Sequence, residues 1–205
     1  MLGSLDCLRV VYLYRDPRDV LNSHYHRMIS DSMKYGPFMD FQAMDPEDQL
    51  LTCLNGMEHV ASHRDGFNYI ATIRETADDF VMAIQNENTF AIGFEGIRFA
   101  PRETYRRLLD WLGFGDISVI PMLDADLDEV IHLGSFEAQT GGQRLDGDTK
   151  EEDFNQSSKY FFASNIRKGE AGGWRENYTP KVKEYVKEQI GEALITLGYE
   201  KDLNW

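Results

Sequence analysis

The stretch from residue 8 to residue 23 constrains the fold most, because an apolar run ends there at an arginine and a helix follows at once. Residues 8–14, Leu-Arg-Val-Val-Tyr-Leu-Tyr, are β-branched, aromatic and nearly continuously apolar, which predicts a strand buried on both faces. Asp16 can cap a helix, Pro17 suits the first helical position, and Asp19 suits the positive end of the helix dipole. The stretch therefore predicts a strand-to-helix crossing of the α/β kind.

The rest of the chain continues this alternation of apolar strands and amphipathic helices. A second short buried strand is predicted over residues 89–94, "TFAIGF". Helical patterns occupy residues 47–63, 67–84, 101–114, 122–133 and 179–199. Residues 141–156 are rich in Gly, Asp, Gln and Thr, which predicts a mobile loop inside a single domain that spans residues 1–205.

Charge and cysteine content exclude several classes of function. The formal net charge of −14 disfavours a nucleic-acid or anionic-membrane surface, because such partners select for basic stripes. Cys7 and Cys53 are the two cysteines, too few for a disulfide scaffold and too far apart for a metal knuckle. We find no metal-ligand pattern, no signal peptide and no run long enough to span a bilayer, and we expect a reducing, cytoplasmic setting.

Arg15 is the first candidate for binding an anion. The carboxyl end of a parallel strand is where open α/β sheets bind ligands, and Arg15 stands at such an end. The helix that follows offers amides near Arg18 and Asp19, and Ser23 lies on the same helix face as Asp16. The alternative is that Arg15 pairs with Asp16 or Asp19 and that Ser23 is a surface hydroxyl.

A second candidate segment is "NIRKGEAGGWREN", residues 165–177. Arg167 and Lys168 stand just ahead of Gly169, Gly172 and Gly173, and glycines let a backbone approach a ligand closely. By itself the segment is also typical of a solvated turn before the last helix. In a folded domain, however, the two basic segments could converge on one phosphate.

Together the two segments resemble the sulfotransferases that use 3′-phosphoadenosine 5′-phosphosulfate (PAPS) as the sulfuryl donor. Members of that family carry a strand that runs into Arg-x-Pro/Ala-Lys/Arg-Asp-Val, with a serine eight residues after the arginine. The resemblance implies that Arg15 and Ser23 bind the donor's 3′-phosphate. It also implies that the late Arg-Lys-Gly-x-x-Gly-x-Trp loop, with Arg167, Lys168 and Gly169, binds the same phosphate.

The resemblance extends to residues near the adenine and to a dimer segment. "FAIGFEGI" is similar to the family's Tyr-Glu-Asp strand end, so Phe94 is expected near the adenine without the tyrosine hydroxyl. "GSFEAQ" is similar to the segment whose aromatic residue contacts adenine, a role that falls to Phe136. The family's dimer segment is matched only in part, which makes homodimerisation a weak expectation; the matching residues are Arg175, Thr179, Pro180 and Glu184.

One departure concerns the start of the family's fold. Members begin with a strand, a Lys-Ser-Gly-Thr phosphosulfate loop and a catalytic histidine ahead of the motif arginine, and none of these occurs in the 205 residues. The resemblance thus implies a parallel-sheet α/β fold with helices on both faces that lacks the first strand and loop. A missing N-terminal segment or a second chain is expected to complete the sheet. No catalytic residue is assigned, although His24 and His26 lie beside Ser23.

The expected function is transfer of a sulfuryl group from PAPS to a hydroxyl or amine of a small-molecule acceptor. This chain would carry the part that binds the 3′-phosphate of PAPS or of the product 3′-phosphoadenosine 5′-phosphate (PAP). The alternative is a non-catalytic remnant that binds a nucleotide or a partner. A different phosphorylated ligand is a third option.

Overall fold

A computed structural model describes residues 9–29, 41, 43–62, 66–115, 121–135, 137–138 and 170–205. The strands are β1 Val10–Tyr14, β2 Met57–Ser62, β3 Gly66–Ile70 and β4 Thr89–Gly93. The helices are α1 Pro17–Ile29, α2 Pro46–Leu54, α3 Ile73–Gln85, α4 Phe94–Phe99, α5 Pro101–Trp111, α6 Pro121–Leu133 and α7 Pro180–Thr196, with a 3₁₀ turn at Gly173–Glu176. The loop predicted at residues 141–156 lies outside the described residues.

The strands form two small sheets. β1 pairs with β4 in a parallel sheet, and the Val10 amide donates to the Asn88 carbonyl at 2.9 Å. β2 and β3 form an antiparallel hairpin in which Val60 lies opposite Asn68. The fold is α/β, as the sequence predicts.

The chain divides into two compact units, which we describe separately. The first contains residues 1–91 and 172–205, and the second contains residues 92–171. Within the second unit, Arg102 of α5 forms an ion pair with Asp128 of α6. That residues 1–205 form a single domain stays a prediction.

A helical core holds the first unit together. The last helix, α7, contributes a stripe of apolar side chains at four-residue spacing, which places them on one face. The buried core residues are Leu21, Tyr25, Met28, Phe41, Leu50, Cys53, Leu54, Ile73, Ala77, Trp174, Tyr178, Val182, Val186, Ile190 and Leu194. Because this core joins α1 to α7, it brings the two ends of the described chain together.

Local signals explain where most helices begin. Pro17, Pro101 and Pro180 each occupy the start of a helix, where the missing N–H of proline costs nothing. Thr72 and Glu75 form a capping box at α3, because the Thr72 hydroxyl accepts from the Glu75 amide and the Glu75 carboxylate accepts from the Thr72 amide. The helices predicted to begin at Pro17, at Pro101 and next to Pro180 are confirmed.

Two expectations are wrong. β1 is not buried on both faces, since Val11 is 48% exposed and Leu13 is 58% exposed. The helical patterns over residues 47–63 and 67–84 are helical only in part: α2 ends at Leu54, and Gly56 follows with a φ of 79° before the β2–β3 hairpin. The hairpin pairing supplies hydrogen bonds that a local helical pattern does not reveal.

Among the residues described, no helix has both the length and the apolar character needed to cross a bilayer.

Candidate functional site

Asp16 organises the turn between β1 and α1. Its carboxylate accepts a hydrogen bond from the Arg18 amide at 2.9 Å, and its carbonyl accepts from the Asp19 amide at 2.9 Å. Asp16 therefore caps the helix, as the sequence predicts. The expectation that the amides near Arg18 and Asp19 are open to an anion is wrong, because both amides already bind Asp16.

Arg18 lies at the centre of a buried ionic and aromatic cluster. Its side chain is 1% exposed; Nε is 2.9 Å from Asp16 Oδ1 and Nη2 is 2.7 Å from Asp16 Oδ2. Nη1 donates to Glu200 Oε1 at 2.5 Å, and the guanidinium carbon lies 4.1 Å from the Trp174 ring centre and 4.6 Å from that of Trp205. These contacts tie the end of the chain to the start of α1.

Burial and charge pairing act in opposite directions on this cluster. Burial raises the pKa of Asp16, and the hydrogen bonds and charge of Arg18 oppose that rise. For Arg18, burial lowers the pKa, but the Asp16 and Glu200 carboxylates outweigh it and the net direction is upward. The guanidinium is thus held charged at the core of the first unit.

Asp19 joins the first motif to the glycine-rich segment. Its Oδ2 accepts a hydrogen bond from the Gly172 amide at 2.6 Å, and its Oδ1 accepts from the Trp174 amide at 3.1 Å. Asp19 is 1% exposed. The structure therefore places Asp19 of the first motif beside Gly172 and Trp174 within the first unit, whereas residues 165–169 of the late segment lie outside the described residues.

Arg15 contacts Asp19, and Ser23 lies further along α1. Arg15 Nη2 is 3.5 Å from Asp19 Oδ2, so the ion pair that the sequence offered as an alternative is present. The Arg15 side chain is still 25% exposed, which leaves part of it accessible to a ligand. Ser23 is half-buried on α1.

The residues after the 3₁₀ turn form hydrogen bonds with residues further along α1. The Asn177 amide nitrogen lies 2.8 Å from Asn22 Oδ1 and 2.9 Å from His26 Nε2. The Tyr178 hydroxyl donates to the Arg18 carbonyl at 3.2 Å. His26, which the sequence suggested as a substitute base, is thus engaged by a side-chain amide.

The remaining predicted site residues fall into two groups. Phe94 is half-buried and begins α4, directly after β4. Phe136, Arg167, Lys168 and Gly169 lie outside the described residues. The roles that the sequence predicts for all of them stay predictions.

Residues 4–198 match the family described as the sulfotransferase domain. The chain belongs to the sulfotransferase domain family. A search of curated proteins finds no significant match to this sulfotransferase-family chain.

Solved structures show the same fold. The chain is similar to retinol dehydratase in complex with androsterone and the inactive cofactor PAP, with 21% identity and a TM-score of 0.54 over 93% of this chain and 48% of that one. It is also similar to retinol dehydratase in a complex with retinol and PAP, with 22% identity, a TM-score of 0.54 and the same shares of the two chains.

A third similar structure is the mouse sulfotransferase SULT7A1 complexed with PAP, with 14% identity and a TM-score of 0.54 over 91% of this chain and 58% of that one. The chain thus spans about half the length of these structural neighbours.

Sequence reasoning missed the partners of the first motif. It gave Asp19 a place near the helix dipole and an alternative ion pair with Arg15, whereas the structure also makes it the acceptor for two loop amides. It gave no role to Glu200 and Trp205, which contact Arg18. A signal was present for Asp19 alone, because closely spaced glycines in a loop leave backbone N–H groups that need an acceptor.

Proposed function

We propose that this chain binds the 3′-phosphate of PAPS or PAP through Arg15 and Ser23. Arg167, Lys168 and Gly169 complete the phosphate contacts, and Phe94 and Phe136 lie beside the adenine. One observation carries the proposal: the Asp19 carboxylate holds the Gly172 and Trp174 amides next to Arg15. Membership of the sulfotransferase domain family and the PAP in the similar structures support the choice of nucleotide.

The residues fit a phosphate in charge and in accessibility. Arg15 offers a partly exposed guanidinium, and guanidinium groups bind phosphate oxygens through paired N–H donors. Ser23 offers a half-buried hydroxyl on α1, the helix that follows Arg15. Binding residues of this type orient the nucleotide and leave the proton transfer to other groups.

For the whole protein we propose transfer of a sulfuryl group to a hydroxyl or amine of a small-molecule acceptor. PAPS, when bound, supplies the sulfuryl group. The similar retinol dehydratase structures contain androsterone and retinol, which supports a small-molecule acceptor here. No catalytic residue is assigned.

A second candidate function is nucleotide binding without transfer. It is favoured by the contact between His26 Nε2 and the Asn177 amide, which occupies a ring nitrogen that a general base would need. A sulfuryl-transfer assay with phenol, alcohol and amine acceptors separates the two functions. Turnover supports the transferase, and PAP binding without turnover supports the binding module.

The proposal also covers the cellular compartment, the completion of the sheet and the oligomeric state. A cytoplasmic setting is supported by Cys53, a buried free thiol. Completion of the sheet by a further segment or a second chain is supported by the β1–β4 sheet, which has two strands among the described residues and leaves Val11 and Leu13 exposed on one face. Thr179, part of the expected dimer segment, caps α7 and donates to Glu47, so a homodimer is not part of the proposal.

Isothermal titration calorimetry with PAP tests the binding proposal. We expect Arg15→Ala and Arg167→Ala each to weaken PAP binding by about tenfold or more, because each removes charged hydrogen bonds to a phosphate. Arg74→Ala is the matched control, since Arg74 is exposed and donates to Gln189 at 3.2 Å. PAP binding of unchanged strength in the Arg15 and Arg167 variants would contradict the site.

A further inference from the structure

Asp19 is a buried, charged residue whose carboxylate contacts Arg15, Gly172 and Trp174. A residue that only begins a helix has no need of these three contacts. The Asp19 side chain is 1% exposed, and each of its two oxygens accepts a backbone hydrogen bond from the glycine-rich segment. The Oδ2 atom that binds the Gly172 amide is also the atom that lies 3.5 Å from Arg15 Nη2. One carboxylate thus contacts both the cation at the strand end and the backbone of the late segment.

The shape of the glycine-rich segment depends on this contact. Gly172 has a φ of 84°, in the left-handed region, and a Cβ at this position would meet the end of the Arg175 side chain. The 3₁₀ turn that follows begins at Gly173. This conformation points the Gly172 and Trp174 amides at one carboxylate, and without that acceptor both amides would lose their partner.

A second anchor lies further along α1. Asn177 contacts Asn22 and His26, and the Tyr178 hydroxyl donates to the Arg18 carbonyl. The end of the glycine-rich segment at Asn177 is therefore bound to α1 by hydrogen bonds that do not involve Asp19. Loss of Asp19 should release the Gly172 end while the Asn177 end stays in place.

We propose that Asp19 is a positioning residue for recognition of the 3′-phosphate. Its carboxylate sets the direction of the Arg15 guanidinium toward the phosphate and fixes the Gly172–Trp174 backbone beside Arg15. This inference rests on the function proposed above. It differs from a general structural role in one respect: Asp19 acts on the groups that contact the 3′-phosphate and leaves the rest of the nucleotide site unchanged.

The test compares two nucleotides that differ only in the 3′-phosphate. Calorimetry gives the affinities of the wild-type chain and of Asp19→Asn for PAP and for adenosine 5′-phosphate. Asparagine keeps the size of the side chain but removes its charge and one acceptor. We expect PAP affinity to fall by about tenfold or more and adenosine 5′-phosphate affinity to change by less than about threefold, because charged hydrogen bonds carry an effect of this size.

Asp45→Asn is the matched control. The Asp45 carboxylate also accepts two backbone N–H bonds, from Glu47 and Asp48 at 3.0 Å, but it caps α2. We expect the preference of this variant for PAP to equal that of the wild type. If Asp19→Asn does not fold, Gly172→Ala disturbs the same backbone while keeping the carboxylate, and it should reduce the same preference.

Each outcome has one meaning. A wild-type chain with no preference for PAP over adenosine 5′-phosphate contradicts the proposed function itself. A wild-type preference that Asp19→Asn and Gly172→Ala both retain overturns the inference alone. If Asp19→Asn lowers the affinities for both nucleotides equally, Asp19 has a general structural role. If Asp19→Asn binds PAP more tightly than the wild type does, the carboxylate competes with the phosphate for Arg15. Either result overturns the inference.

Discussion

Replacement of Arg18 by methionine should destabilise the first unit strongly. Methionine is apolar and similar in length, so Arg18→Met removes the charge while filling much of the space. It leaves the Asp16 carboxylate, 5% exposed, without the guanidinium that binds both of its oxygens. Removing one partner of a buried ion pair costs about 3–5 kcal/mol, which corresponds to a fall of about 6–20 °C in the melting temperature for a chain of this size.

The loss should depend on pH in a defined direction. Burial raises the pKa of Asp16, and removal of Arg18 takes away the interactions that oppose this rise. The folded variant then binds the Asp16 proton more tightly than the unfolded chain does, so its stability relative to wild type improves as the pH falls. We expect the difference in unfolding free energy to shrink between about pH 7 and about pH 4.5.

Urea denaturation followed by circular dichroism measures both effects. Arg102→Met is the control, because the Arg102–Asp128 ion pair is exposed and should contribute less than about 1 kcal/mol. Asp16→Asn combined with Arg18→Met should recover part of the lost stability, since the buried Asp16 charge is then removed together with that of Arg18. A loss below about 1 kcal/mol for Arg18→Met, or a loss that does not change with pH, would refute the reasoning.

Two further predictions concern Gly172 and Cys53. Gly172→Ala and Gly198→Ala should each cost about 1–2 kcal/mol in urea denaturation, because both glycines have positive φ and the Cβ at Gly172 would meet only the end of the Arg175 side chain; no loss at either position would contradict this. Burial raises the pKa of Cys53 to about 12, so at about pH 8 roughly one molecule in ten thousand carries the thiolate. Peptide mapping after iodoacetamide treatment should therefore find Cys53 alkylated only in the denatured chain, and labelling of the native chain would argue against the burial.

Elements with local signals could be predicted from the sequence. Pro17 and Pro180 mark helix starts because a proline at the first position needs no N–H partner, and the Thr72–Glu75 capping box is likewise local. The β2–β3 hairpin could not be predicted this way, since its strands read as helical and only their mutual pairing stabilises them. The exposure of β1 depends on which strands lie beside it, which the strand's own residues do not determine.

The sequence predicts which cations bind the phosphate, and these stay predictions, but it could not predict the contacts that Asp19 and Arg18 make. Arg15 and the glycine-rich segment carry recognisable patterns, because phosphate binding needs guanidinium groups and a close backbone. The Asp19 bonds to Gly172 and Trp174 join residues more than 150 positions apart. No local rule pairs such residues, and the same holds for the contact between Arg18 and Trp205.

A crystal structure of the chain with PAP tests the central claim most directly. The account predicts the 3′-phosphate within hydrogen-bond distance of the Arg15 guanidinium and the Ser23 hydroxyl, with Asp19 still bound to the Gly172 and Trp174 amides. A nucleotide bound elsewhere, or a 3′-phosphate that contacts neither Arg15 nor Ser23, would contradict it.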